Sequence, residues 1–398
     1  MCGGSALETK KYNNINSIKM RAMNTALVFD AIRMHKSISR ADLAKTIGLT
    51  TATITNLVNK AIADGYIVET GMGNSQGGRR PKVLELNNSA GYAIGIELNI
   101  FEIICILADF NANIIARESV EIEIINGPET TLDQIVALIN SIIEKNGIPR
   151  NKVMGIGIAT AGPIDHVRGI MINPPNFVGW RNVPVKEILE QKTGITTYIE
   201  KETSAAALCE SWIDIDNKYK RILAMNVFKV GIGGGLVLEG KIYHGYKDAG
   251  LEIGHMTVDS FGAACRCGRT GCLEVMADGE AAVRYYKSAT GNEIPINEIV
   301  ERAKGGDENC ISAVKKCGRY LGKAISSLIS VLAPDVIFIG GDFIENNDIM
   351  FGECLRVAKE QTYPFTDAEI EVRRASLGKF SGAFGSIAKV LNAALSTD

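Results

Sequence analysis

The chain has no long apolar run: no stretch of its 398 residues reaches about 18 consecutive apolar side chains, so no membrane-spanning helix is expected. The opening residues, MCGGSALETKK, lack the apolar centre of a secretory signal, and a cytoplasmic protein with no membrane partner is expected. Net charge is nearly absent, with 43 Lys and Arg against 45 Asp and Glu, which excludes a chain that is basic throughout. Proline is scarce at 10 residues, and 46% hydrophobic with 22% charged is a globular composition rather than a disordered one. The length allows two or three domains with a large core. Histidine is rarer still, with four in all. Cysteine is the exception: nine are present, and Cys265, Cys267 and Cys272 crowd into eight residues. In a chain with no export signal, that cluster points to a metal rather than to disulfides.

The small net charge hides a split. Residues 1–88 hold 12 basic and 6 acidic residues, and the remainder holds 31 basic and 39 acidic. A basic head on an acidic body suggests a nucleic-acid contact at one end. Within the head, apolar residues at helical spacing over 16–36 (Ile18, Ala22, Leu27, Ala31, Ile32) predict a first helix. Ser39 and Asp42 stand at capping-box spacing for a second, which Gly48 ends. Thr50 can cap a third, whose stripe Ile54, Leu57, Val58, Ala61 and Ile62 would pack on the other two. The helix pair reads as a helix-turn-helix. The polar face of the third helix offers Thr51, Thr53, Thr55, Asn56, Asn59 and Lys60 to base edges and phosphates. Two strand-like runs, Tyr66–Thr70 and Val83–Leu86, flank a glycine-rich loop carrying Arg79, Arg80 and Lys82. They read as a wing whose cations lie along phosphates or enter a minor groove. Residues 12–88 are therefore expected to be a winged helix-turn-helix that contacts operator DNA.

From Gly91 the pattern turns to strands. YAIGIEL, EIICILAD and ARESVEIEI suit an antiparallel meander, followed by a helix over 131–146 and a buried strand, KVMGIGIAT. TTYIEK, a helix near 204–212, RILAMNV, a helix near 318–332 and PDVIFIGG continue the alternation of an α/β body. The scheme repeats, which suggests two similar lobes with a cleft between them. His255, Cys265, Cys267 and Cys272 then form His-x9-Cys-x-Cys-x4-Cys. Three thiolates and an imidazole close a tetrahedral shell, so a structural zinc is expected to pin this polar, glycine-rich loop.

At these residues the chain resembles the ROK family of repressors, open reading frames and sugar kinases. The motifs are GIGIATAGPID, NPPNFVGW, VGIGGGLVLEGKIYHG, the ExGH of Glu252–His255 and the CxCGxxGCxE of Cys265–Glu274. The head, with GGRRPKVLELN closing its wing, is similar to that of the repressor branch, whose members respond to sugars such as xylose, N-acetylglucosamine or glucose. The resemblance implies an α/β, two-lobed, actin-like (ribonuclease-H-like) sugar-kinase fold behind the winged helix. Lobe I is expected over residues 89–200. Lobe II is expected over 201–398, with the zinc loop and a C-terminal helix returning toward lobe I. It also implies that Glu252, His255 and Glu274 bind the hydroxyls of a sugar, with Asn176 lining the cleft.

The chain departs from the family kinases at three places. Glu97, Asn99 and Ile100 replace the first phosphate loop, with the branched Ile100 expected to block its backbone N–H groups. Lys201-Glu202 replaces Asn-Asp, where the Asp is the catalytic base, and Lys229-Val230 precedes the second glycine run. Loss of phosphoryl transfer is therefore expected, with no catalytic residue. Lys201 could favour a phosphorylated or acidic sugar, or could be spent in a salt bridge with Glu202 or Glu200. The reading that results is a sugar-responsive transcriptional regulator, expected to repress carbohydrate-utilisation genes and to act as a homodimer or dimer of dimers. Its alternatives are an ATP-dependent sugar kinase and a constitutive DNA-binding scaffold with a vestigial cleft.

Overall fold

The computed structural model describes residues 5–72, 82–214, 218–363 and 370–396. The head comprises α1 (Ser5–His35), β1 (Ile38–Ser39), α2 (Arg40–Ile47), α3 (Thr51–Ala63), β2 (Ile67–Met72) and β3 (Lys82–Leu86). The first helix begins well before residue 16, where the apolar spacing had placed its start. Ser39 caps α2 by accepting the Asp42 N–H at 3.1 Å. Asp42 does not complete the capping box: its carboxylate accepts the Ser39 hydroxyl at 2.7 Å, one methylene short of the Glu that reaches the N-cap amide. Thr50 caps α3 by accepting from Thr53 N. Ile54, Val58 and Ala61 of α3 are buried with Val28, Ile32 and Leu43. The wing strands pair antiparallel, and β1 joins them with Ile38 opposite Leu84.

The body contains two five-stranded sheets. The first is built from β4 (Tyr92–Leu98), β5 (Glu102–Asp109), β6 (Ile114–Glu121), β7 (Val153–Thr160) and β10 (Thr197–Lys201), in the order β10-β7-β4-β5-β6. Helices α4 (Gly127–Lys145) and α5 (Val185–Thr193) and the short pair β8 (Ile164–Asp165) and β9 (Ile170–Met171) lie between them in sequence. The second sheet is built from β11 (Arg221–Val227), β12 (Ile232–Leu238), β13 (Lys241–Ile242), β14 (Val336–Gly340) and β15 (Glu371–Arg374), in the order β13-β12-β11-β14-β15. The two share one topology: an antiparallel meander, then two strands added parallel to its first member. The central parallel strand β7 is apolar almost throughout, because both its faces are covered. The edge strand β6 alternates in burial along its length, as a strand with one solvated face must.

Helix α6 (Glu202–Ile213) follows β10 directly and packs on β11 and β12. Helices α7 (Leu273–Ala277), α8 (Gly279–Thr290), α9 (Ile296–Lys304), α10 (Glu308–Leu332) and α11 (Asp348–Gln361) cluster on the second sheet. Helix α10 starts about three turns earlier than its apolar pattern indicated, because Asp307 caps it through Asn309 N and Cys310 N. The last helix, α12 (Ser381–Ser396), crosses back to pack on β4 and β7 and lies along α6. A side chain at Gly385 would collide with the carbonyl of Ala205, so glycine is what lets the two helices touch. Helices α6 and α12 thus join the lobes. The head docks on the same region. Phe29 and Tyr66 of the head pack on Phe110 of the body at ring separations of 5.9 and 5.3 Å. The Arg33 guanidinium lies 4.3 Å over the Trp212 ring while donating to the Trp212 carbonyl at 2.9 Å. Among the described residues, no helix is long and apolar enough to cross a membrane.

Candidate nucleic-acid face, ligand cleft and metal loop

Helix α3 exposes Thr51, Asn56, Asn59 and Lys60, with Thr53 and Thr55 partly covered. The two partly covered threonines bond locally: Thr55 Oγ1 donates to Thr51 O at 2.8 Å, and Thr53 Oγ1 meets Thr50 Oγ1 at 2.9 Å. Asn59 Oδ1 accepts from Arg40 at 2.9 Å. The other Arg40 nitrogen pairs with Glu69 at 2.9 Å, and Glu69 takes Lys82 of the wing at 2.6 Å. Arg40 ties α2, α3 and the wing into one surface. Sequence reading missed it because nothing local distinguishes this arginine from a solvated one. Arg79 and Arg80 lie outside the described residues.

Between the lobes lies a cavity of about 400 Å³ whose lining includes Glu97, Asn99, Asn176, Glu202 and Lys229. Glu97, at the end of β4, accepts the Ala383 N–H at 3.2 Å, so its carboxyl sits on the N-terminus of α12. Burial, with the nearby Glu202 charge adding to it, pushes the Glu97 carboxyl up to about 8. Burial also raises Glu202 to about 7, against the pull of Lys201. The loop after β4 is closed differently from expectation. Asn99 Oδ1, not the Ile100 side chain, takes its amides, accepting from Phe101 N and Glu102 N at 2.8 Å each. Lys229 pairs with Asp342 at 3.6 Å.

The end of β10 divides its charges between two faces. Lys201 is buried, and its ammonium donates to the Gly250 carbonyl at 2.9 Å and pairs with Glu252 at 3.0 Å. The side-chain partner is neither Glu200 nor Glu202, the two that proximity in sequence had suggested; strand alternation turns Glu200 to the other side. There Glu200 accepts from His244 at 2.9 Å and Lys389 at 3.2 Å. Burial alone would raise it, but these two partners hold its carboxyl below the usual range.

The ligand atoms of His255, Cys265, Cys267 and Cys272 all lie within 4.8 Å of one another. Cys265 Sγ is 3.8 Å from His255 Nδ1, and Cys267 Sγ is 3.6 Å from Cys272 Sγ. A tetrahedral zinc with bonds near 2.3 Å would set its sulfurs about 3.8 Å apart, so this donor set fits such an ion. The loop is tight: Gly271 adopts φ +66°, and any side chain there would strike the Asp259 carbonyl. Arg266, between two of the thiols, reaches across the cleft and donates to Asn176 Oδ1 at 3.0 Å, with Glu274 at 3.9 Å from its other terminal nitrogen. This bridge was not legible in the motif, whose signal is confined to the cysteines and the glutamate.

A second group of ligand-type side chains, His166, His244 and Asp248, also has its donor atoms within 4.8 Å. Its two imidazoles stack face to face, 3.7 Å apart and 4° from parallel. Imidazole lone pairs lie in the ring plane, so two parallel stacked rings do not aim them at a common ion.

The sequence pattern of the ROK family matches residues 93–393. The xylose repressor of Caldicellulosiruptor bescii is 29% identical over 394 residues, covering 96% of this chain and 98% of that protein. The crystal structure of a ROK transcriptional regulator, a homologue of E. coli MLC, superposes with a TM-score of 0.80 at 24% identity over 95% of this chain and 98% of its own. The ROK hexokinase of Thermus thermophilus superposes with a TM-score of 0.66 at 28% identity, covering 97% of itself but 75% of this chain. The kinase likeness therefore leaves about a quarter of the chain uncovered, and the regulator likeness leaves almost none.

Proposed function

The chain belongs to the ROK family, and from that premise we propose that it is a sugar-responsive repressor of carbohydrate-utilisation genes that carries out no phosphoryl transfer. The observation that carries this reading is one of combination. A head with an exposed polar helix is docked on a body in which the ExGH acid Glu252 pairs with Lys201, next to the cavity-lining Glu202, and Arg266 of the cysteine loop bonds the cavity-lining Asn176. Thr51, Thr53, Thr55, Asn56, Asn59 and Lys60 would read the major groove, and Lys82, with Arg79 and Arg80, would follow the backbone. A homodimer would set two such helices on half-sites one helical turn apart, in the cytoplasm.

Two anion seats used in phosphate binding are filled by the protein itself, which supports the absence of phosphoryl transfer. The Glu97 carboxyl occupies the N-terminus of α12, and the Asn99 amide oxygen occupies the loop after β4. On the resemblance to the family, Glu202, the first residue of α6, would take the position of the kinases' catalytic base. In the cleft Glu252 and Glu274 would accept sugar hydroxyls, with Asn176 and Glu202 beside them. Lys201 is already engaged by Glu252 and the Gly250 carbonyl, which favours a neutral sugar over its phosphate. The three thiols and His255 would hold a structural zinc through Nδ1, leaving His255 Nε2 for a hydroxyl. That ion would also fix Glu274, which follows Cys272 by two residues.

The test is anisotropy with a fluorescent fragment of the chain's own promoter, with and without D-xylose, D-glucose and their phosphates, beside a coupled ADP-release assay. The expected result is tight operator binding that one neutral sugar weakens, and no ADP release. Operator binding indifferent to every sugar would leave only a DNA-binding protein, and sugar-dependent ADP release would make it a kinase.

A further inference from the structure

The segment from Tyr243 to Glu252 follows β13 in the second lobe and ends in the ExGH acid. Its backbone is unfavourable on its own. Lys247, Asp248 and Leu251, none of them glycine, all adopt left-handed conformations, at φ 50°, 60° and 60°. Such conformations persist only where the surroundings impose them. Here the surroundings belong to the other lobe. Both carboxylate oxygens of Asp248 accept from His166: Oδ2 from its backbone N–H at 3.0 Å and Oδ1 from its Nδ1 at 2.5 Å. His244 returns the link by meeting Glu200 at 2.9 Å, and its ring stacks on that of His166. His166 and Glu200 stand on the first lobe, in the turn between β8 and β9 and on β10. Asp248 and Glu200 are almost wholly buried at their side chains, at 8% and 1% exposure, so these bonds are sheltered from water. Downstream the same segment delivers the Gly250 carbonyl and the Glu252 carboxylate onto Lys201.

We infer that His166, Asp248, His244 and Glu200 form an interlobe clasp whose task is to position Glu252 for the effector. The four are positioning residues. Two reciprocal imidazole–carboxylate pairs, each crossing from one lobe to the other, hold a strained segment in place, and the acid at its end is the one aimed at the ligand. The clasp thereby makes effector affinity conditional on the relative placement of the lobes. This inference rests on the reading of the cleft as a sugar seat, but its structural half can be tested without a sugar.

The variants are Asp248→Ala, His166→Ala and His166→Asn, in the full-length metal-loaded protein. Asparagine places an N–H donor close to where Nδ1 stood and so keeps the bond to Asp248 while removing the stacked ring. Hydrogen exchange over residues 243–252 is measured first, without ligand. Exchange is expected to rise in both alanine variants and to return toward wild type in His166→Asn. Sugar affinity is then measured by calorimetry with D-xylose and D-glucose. A loss of about tenfold is expected in the alanine variants, the scale of a missing charge-assisted hydrogen bond, with partial rescue in His166→Asn. Retained operator binding and metal content in each variant establish that it is folded. Unchanged exchange in folded alanine variants overturns the clasp. Raised exchange with unchanged affinity for a sugar that wild type binds overturns its positioning role. A second equivalent of Zn²⁺ or Ni²⁺ bound by wild type and lost in His166→Ala also overturns it, by making the cluster a metal site. If wild type binds no sugar, the sugar-seat reading fails and with it the positioning role, while exchange still decides the clasp.

Discussion

Replacing Glu97 by Gln should stabilise the protein, and only above about pH 4.5. The folded Glu97 carboxyl keeps its proton until about 8, whereas an unfolded glutamate loses it near 4.5. Below 4.5 both states are protonated and the buried group carries no penalty. As pH rises toward 8 the unfolded chain ionises and the folded one does not, so stability falls, and it levels off above 8. The gap between 4.5 and about 8 sets a ceiling of about 5 kcal/mol on this loss. Glu97 lines the cavity, and water admitted there lowers the folded value and the loss together, so an effect of about 1–2 kcal/mol is expected, levelling off correspondingly below pH 8. Glutamine has nearly the same shape as the protonated acid and keeps an oxygen for the Ala383 N–H, but never ionises. Urea midpoints of wild type and Glu97→Gln should therefore nearly coincide at pH 3.5, below the unfolded value, and diverge, in favour of the variant, by pH 8.5. Comparing the two at each pH cancels the titration of the rest of the chain. A difference that does not grow between pH 3.5 and 8.5 would refute the argument, and a more stable wild type at pH 8.5 would reverse it.

Three further outcomes are expected. Cys272→Ser should lower bound zinc, read by elemental analysis, and lower the melting temperature by roughly 5 °C or more, because the proposed ion would substitute for a core that this loop lacks. Asn56→Ala should weaken operator binding by about 1–3 kcal/mol if it reads a base, whereas Lys82→Ala should weaken all DNA similarly and reduce the slope of log affinity against log salt by about 0.9. Titrations at several salt concentrations separate the two. Arg33→Ala removes a hydrogen bond to Trp212 and the guanidinium stacked on its ring. It should destabilise the docking of the head by about 2 kcal/mol, seen as earlier urea unfolding of the head, while the operator face stays intact.

The elements were legible where sequence spacing alone decides them. The stripe of α3, the runs of β4, β5 and β7, and the thiol cluster with His255 are local patterns, and each maps onto one helix, one strand or one loop. The limits of elements were less legible. A side-chain cap such as Asp307 moved the start of α10 by about three turns, and the capping box at Asp42 failed for want of one methylene.

What the sequence by itself determined is the inventory: a basic winged head, two α/β units of one scheme, and a loop bringing four metal-ligand-type side chains together. All of these follow from residue type at short spacing, where periodicity and ligand chemistry act within a few residues. Tertiary structure alone decided which charge meets which. Lys201 pairs with Glu252, 51 residues away, rather than with Glu200, which strand alternation sends to the opposite face, or Glu202, which opens helix α6. Arg266 found Asn176 across the cleft, 90 residues distant, and Asp248 found His166 across 82. Such partners are set by how two lobes pack. At Lys201 and Asp248 burial then turns the pairing into a requirement, since a charge held away from water needs a partner wherever the fold supplies one, whereas the Arg266 bridge is exposed.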